Sequence, residues 1–314
     1  MAVIDVPRTT LFGFPHRELM AGEQRSIVAF GATVQSAFPR RAGAELGPAA
    51  IREMSREALE TYLSSPSRTA VDLNSGRMKR LRSLQSSSDL GDLECDGPVS
   101  SSHVAQIAEI SAATRRSGSM PVLLGGDQRL FEGLVKGVQD GAIVPPILSI
   151  SDKLSLPAAT DSAPLALADV VVPANNSCPL LCVGVNGLQS SAAWEAMDRV
   201  GGSVVSADQI YDTPNQVRET IKRFIHSHKS LVCCVDLETL DAGHAAGTPA
   251  LNVGGLTPEQ LISMLSDIIP SGALSGVALT NVAPSLDARG LTELAAVEAL
   301  MAVLDGELFT EITE

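Results

Sequence analysis

PVLLGGDQRLFEGL, residues 121–134, is the stretch that decides the fold. A short apolar run meets two glycines and an aspartate, and an amphipathic segment follows. This is the grammar of a strand, a tight turn and a helix. Gly125 and Gly126 permit backbone angles that other residues resist, and Asp127 is a suitable N-cap for the helix behind it. In open α/β sheets, ligands bind at such strand ends. Gln128 is the odd residue at this tip, because an amide is neither a general base nor a good metal ligand.

The same alternation runs outward in both directions. Strands are expected at 26–31, 145–151, 168–173, 180–185, 203–206, 231–236 and 275–282. Shorter ones are expected in TAVDL (69–73) and DLGDL (89–93). Helices are expected at 45–63, 103–118, 190–201, 213–227, 257–269 and 291–304. Strands alternating with helices imply parallel pairing with helices on both faces. The expectation is one doubly wound α/β domain over residues 1–314, with a mainly parallel sheet and a polar, Ser-rich insertion loop around 64–88. Arg77, Lys79, Arg80 and Arg82 in that insertion read as a solvated loop rather than a basic docking patch.

Composition narrows the function classes. Hydrophobic residues make up 45% of the 314 and aromatics only 3%, so a large core of Leu, Val, Ile and Ala is expected. The net charge of −13 argues against a nucleic-acid groove or an anionic membrane surface. No secretory signal is read at the start, and no apolar run reaches the roughly 18 residues of a membrane span. Cys95, Cys178, Cys182, Cys233 and Cys234 lack a framework spacing and read as reduced thiols, which suits a cytoplasmic protein.

The strand ends gather the candidate chemistry. Asp236 and Glu238, alternate residues leaving a strand, can point to one side. Two carboxylates together repel, so a cation or a shared proton is expected between them. A divalent metal or a lysine ammonium would serve, and an N-cap with a solvated loop is the bland alternative. The histidines are scattered. His226 and His228 lie at the opposite end of the sheet, and only His244 follows Glu238 closely enough to approach it.

Assembled, these stretches resemble the arginase family of ureohydrolases. PRRAGAELGPAAIRE (39–53), DLGDL, LLGGDQRL, CVDLETLDAGHAAGTPALNVGGLTPEQL (234–261) and ALTNVAP (278–284) are similar in order and spacing to that family's motifs. The resemblance implies the arginase fold and metal-assisted hydrolysis of a guanidinium group by two manganese ions that activate one water. The implied ligand positions fall on Gln128, Ser151, Lys153, Ser155, Asp236 and Glu238, of which only the last two are acidic. The family's substrate-gripping positions fall on Gly187, Gln189 and Asn281, all without charge. Its proton-shuttling histidine has no counterpart in TDSAPLALAD (160–169).

Two readings follow from that comparison. In the first, the binuclear manganese site is lost and the chain carries no cofactor. It is then a catalytically inactive binding or regulatory protein, assembled as a homo-oligomer, a trimer foremost, or with a paralogous arginase-family subunit. The alternative is a residual single-metal hydrolase of a guanidino or amide substrate that uses Asp236 and Glu238, with His244 or Asp127 as a third ligand. In either reading the Lys153 ammonium is expected to take roughly the place of the missing metals and pair with Asp236 or Glu238, since a buried carboxylate pair without counter-charge is costly.

Overall fold

The computed structural model describes residues 4–5, 7–17, 26–35, 41–62, 67–73, 76–93, 95, 97–141, 143–154 and 178–312. Its strands are β1 (Ile4–Asp5), β2 (Ile27–Ala32), β3 (Thr69–Asp72), β4 (Arg77–Leu81), β5 (Ser88–Leu93) and β6 (Met120–Gly125). They continue with β7 (Ile147–Ile150), β8 (Leu180–Val185), β9 (Ser203–Ser206), β10 (Leu231–Asp236), β11 (Leu274–Thr280) and β12 (Phe309–Glu311). Nine of them form one sheet in the order β1-β5-β2-β6-β11-β10-β7-β8-β9. Only β1 is antiparallel, against β5. The expected strand at 168–173 lies outside the described residues.

Apolar residues line both faces of this sheet, as a buried parallel sheet requires. Val28, Phe30, Leu123, Val232, Cys234 and Ala278 join one buried cluster. Their chain neighbours Ile27, Ala29, Val122, Leu124, Cys233 and Val277 join the other. Successive side chains alternate across a strand, so one run of sequence feeds two cores. Cys233 and Cys234 are therefore core residues, and burial pushes the Cys233 thiol up to about 12. No helix among the described residues is long and apolar enough to cross a membrane.

The opening stretch folds as read: β6, a 3-10 turn at Gln128–Leu130, then the helix Phe131–Val138. The reason for its glycines differs from the expectation. Neither Gly125 nor Gly126 has a positive φ. Gly126 is required by space instead, because a Cβ there would sit 1.5 Å from the Val34 carbonyl oxygen. The Gly126 carbonyl in turn accepts from Asn281 N at 2.8 Å, which seals the end of β6 to the end of β11. Gly126→Ala is expected to cost about 3 kcal/mol or more, because the obstructing atom is backbone. A thermal unfolding midpoint within a degree of wild type would contradict this.

The insertion expected as a loop with a strand at TAVDL holds that strand as β3, which joins a second sheet. β3 pairs with β4, and β4 pairs with β12, all antiparallel. The basic run is built into it: Lys79 Nζ lies 3.1 Å from Asp72, 2.6 Å from Asp267 and 2.9 Å from Asp305, and Arg77 pairs with Glu311. Burial opposes the Lys79 charge, but these aspartates outweigh it and raise its pKa. Charge at a buried position of β4 hid the strand from a hydrophobic-period reading. The helix expected to reach residue 269 ends at Leu265, where Ser266 Oγ bonds back to Ile262 O and Asp267 turns left-handed at φ +59°. A short helix Ala207–Asp212, capped by Ser206 and Gln209, was not anticipated.

Candidate metal centre

The carboxyl ends of β6, β11, β10, β7 and β8 are neighbours in the sheet. They set Gln128, Asn281, Asp236, Ser151 and Gly187 along one edge. Asp236 ends β10, and the 3-10 turn Leu237–Thr239 folds back over it. That turn brings Glu238 N within 3.0 Å of Asp236 Oδ1. Asn281 Nδ2 also donates to Oδ1, at 2.9 Å, and Ser151 Oγ donates to Oδ2 at 3.1 Å. Asn281 holds this position with φ +62°, a left-handed conformation that asparagine tolerates better than most residues. Both oxygens of a fully buried carboxylate are thus fixed by neutral donors from three strand ends.

Glu238 is held from two sides. Ala250 N donates to Oε1 at 3.0 Å, and Lys153 Nζ donates to Oε2 at 2.5 Å. Lys153 Nζ also lies 3.4 Å from Asp152 Oδ1. Of the two acids expected to pair with Lys153, Asp236 or Glu238, it is Glu238 that does so. The Lys153 side chain is 50% exposed whereas that of Glu238 is 8% exposed, so the ammonium covers the acids from the solvent side.

The residue missed from the sequence is Asp152. Asp152, Asp236 and Glu238 bring one carboxylate oxygen each within 4.8 Å of one another. Asp152 stands one position away from each of the family-matched Ser151 and Lys153. Past the end of β7 the strict in-out alternation of a strand lapses, so a residue assigned to the wrong side turns toward the site. The signal was the acid itself in SISDKLSL.

The third ligands expected instead do not join this group. Asp127 caps the 3-10 turn through Arg129 N at 2.8 Å and pairs with the Arg129 guanidinium at 2.8 Å. His244 lies 3.7 Å from Asp241 and stands half exposed. Gln128 opens the 3-10 turn and is half-buried. Gly187 is exposed, and the Gln189 side chain is turned to backbone, accepting from Leu154 N and donating to Asp152 O and Asn186 O. Gln189 is therefore a brace rather than a pocket-lining group. Ser155 and residues 160–169 lie outside the described residues.

The electrostatics follow from three acids and one ammonium. Burial pushes Asp236 up to about 8, and the neighbouring Glu238 and Asp152 add to the rise. Burial also raises Asp152 and Glu238, against the opposing pull of Lys153. Lys153 itself is raised, since Glu238, Asp152 and Asp236 outweigh the cost of its burial. One lysine does not neutralise three carboxylates, and burial together with this repulsion is what raises Asp236. Three hard oxygen donors with unmet negative charge suit one divalent cation such as Mg²⁺ or Mn²⁺. The donor set fits one such ion; Ser151, which is neutral, and Lys153, which is cationic, offer no anionic ligand for a second.

The model of the arginase family matches residues 25–150 and 164–305. A formimidoylglutamase of Halobacterium salinarum is 25% identical over 291 residues, covering 89% of this chain and 87% of that protein. An agmatinase of Bacillus anthracis is 24% identical over 293 residues, covering 90% and 92%. The crystal structure of formimidoylglutamase from Bacillus subtilis superposes with a TM-score of 0.78 at 18% identity, covering 95% of this chain and 92% of that one. These findings overturn the expectation of an inactive binding or regulatory protein: the relatives carry the names of enzymes, and the described residues hold an acidic group able to take a metal ion. The chain belongs to the arginase family.

Proposed function

We propose that the protein is a hydrolase of a guanidino or amide-type carbon–nitrogen bond that works with a single divalent cation held by Asp152, Asp236 and Glu238. The observation that carries this reading is the convergence of those three carboxylates at the ends of β7 and β10. The names of the relatives, formimidoylglutamase and agmatinase, support the substrate class.

A divalent cation at this position would supply Lewis acidity and lower the pKa of a bound water. The chain's own groups do the rest. Ser151, Asn281 and the Glu238 amide fix the direction of both Asp236 oxygens before any ligand arrives, which is the preorganisation a catalytic site requires. The Ala250 amide does the same for Glu238 Oε1. Lys153 holds a positive charge at the mouth of the site, placed to steady negative charge that develops on a substrate oxygen or nitrogen. Asn281, uncharged where the family carries an acid, orients Asp236 and forms no ion pair with a guanidinium. Assembly as a homo-oligomer, with a trimer first, and a cytoplasmic location belong to the same proposal.

The test is release of ammonia or urea from a panel of guanidino and formimidoyl compounds, assayed with Mn²⁺ and with EDTA. Activity that needs the cation and falls at least about 100-fold in Asp152→Asn supports the reading. Activity indifferent to both EDTA and Asp152→Asn would refute it, as would no release from any compound.

A further inference from the structure

The three acids come from two separate turns, one after β7 and one after β10. Something must set the distance between these turns. Lys153 bridges them at the mouth, but a half-exposed flexible ammonium is a poor ruler. Behind it runs a second connection made of neutral amide side chains.

It begins at Asp152, whose carbonyl accepts from Asn186 N at 2.9 Å and from Gln189 Nε2 at 3.1 Å. Gln189 Oε1 accepts from Leu154 N at 3.0 Å, so this one side chain grips the backbone on both sides of Lys153. Gln189 Nε2 also donates to Asn186 O at 2.6 Å. The Asn186 side chain then crosses to the other loop, where Nδ2 donates to Asn252 Oδ1 at 2.8 Å and to Val253 O at 2.9 Å. Its orientation is fixed because Oδ1 accepts from Gly187 N at 2.8 Å. Asn252 Nδ2 finally donates to the carbonyl of Thr239 at 3.2 Å, the residue that follows Glu238. Asn252 is buried, and Leu256 N also donates to the same Thr239 carbonyl at 2.9 Å.

We infer that Gln189, Asn186 and Asn252 form a positioning relay that sets the spacing between Asp152 and Glu238 and thereby the cation affinity of the site. None of the three touches the acids' carboxylates in these hydrogen bonds; each acts through backbone. Because amides carry no charge, the relay keeps its geometry while protons or cations come and go among the acids, which an ion-pair bridge would not do. The consequence for cation binding rests on the single-cation reading above. The relay itself does not.

Two measurements on the full chain test it. The first is amide hydrogen exchange of the cation-free protein, comparing wild type with Asn186→Leu and, from the other end, Asn252→Ala. Both variants are expected to quicken exchange in both turns, at Ser151–Leu154 and at Leu237–Leu240. Faster exchange confined to the substituted loop would overturn the relay. The second is calorimetric titration with Mn²⁺. Asn186→Leu is expected to bind about tenfold more weakly, and to add nothing further in an Asp152→Asn background, because that ligand is already gone. Full additivity, or unchanged affinity in Asn186→Leu, would overturn the positioning role. If wild type takes up no Mn²⁺, the single-cation reading and the affinity role fall together, while the exchange pattern still decides whether the two turns are coupled.

Discussion

Asp236→Asn is expected to abolish cation uptake and, in the same protein, to raise the thermal midpoint of the cation-free chain at pH 8. The first effect follows from its central position among the three acids; a loss of about 100-fold or more in Mn²⁺ affinity, roughly 3 kcal/mol, is the expected size. The second follows from its burial. Asp236 is fully buried beside two other acids, and its folded pKa stands near 8 against an ordinary 3.8. A group raised in this way binds protons more tightly folded than unfolded. Its contribution is fully present below about pH 4 and is lost as pH rises to about 8. The cation-free wild type should therefore lose stability over that window, and Asp236→Asn should flatten the loss. The amide oxygen still accepts from Glu238 N and Asn281, and Ser151 Oγ can rotate to accept from the new NH₂, so the exchange is close to isosteric. A gain of a few degrees at pH 8 is expected. Thermal unfolding from pH 4 to pH 8 in EDTA checks this; a variant less stable than wild type at pH 8 would show that the hydrogen bonds to Asp236 outweigh the burial of its charge.

Lys153→Met should act in the opposite sense on both readouts. Its ammonium lies 2.5 Å from Glu238 and 3.4 Å from Asp152, so from the solvent side it supplies part of the positive charge that a divalent cation would bring. Removing it leaves three carboxylates facing one another. The cation-free midpoint should fall by several degrees, since breaking an ion pair strands a partly buried charge. Mn²⁺ affinity should rise about tenfold, because the internal competitor is gone. The ion should then restore the midpoint, which separates this effect from simple damage to the fold. Unchanged affinity in Lys153→Met would mean that the lysine swings aside freely and does not compete.

Much of the fold was legible because its determinants are local. The run PVLLGG ends in a residue that must lack a side chain, and alternating apolar runs feed two cores at once. In the second sheet β4 was not legible because one of its two buried positions is Lys79, whose burial depends on Asp72, Asp267 and Asp305, up to more than 200 residues away in sequence. The site shows the same division. Asp236 and Glu238 share one turn and were visible as a pair, and the Lys153 partnership followed from the need for a counter-charge. Asp152 was overlooked because family register placed its neighbours, not it, at the ligand positions, and backbone direction beyond the end of a strand is a property of the turn. Gln189 read as a lost substrate contact because a sequence shows an amide's identity but not that its donors and acceptor are spent on backbone.

The central claim is one cation on three carboxylates. Elemental analysis after incubation with excess Mn²⁺ and desalting tests it most directly. The account predicts close to one manganese per chain in wild type and less than about a tenth in Asp236→Asn. Two per chain, or none in wild type, would contradict it.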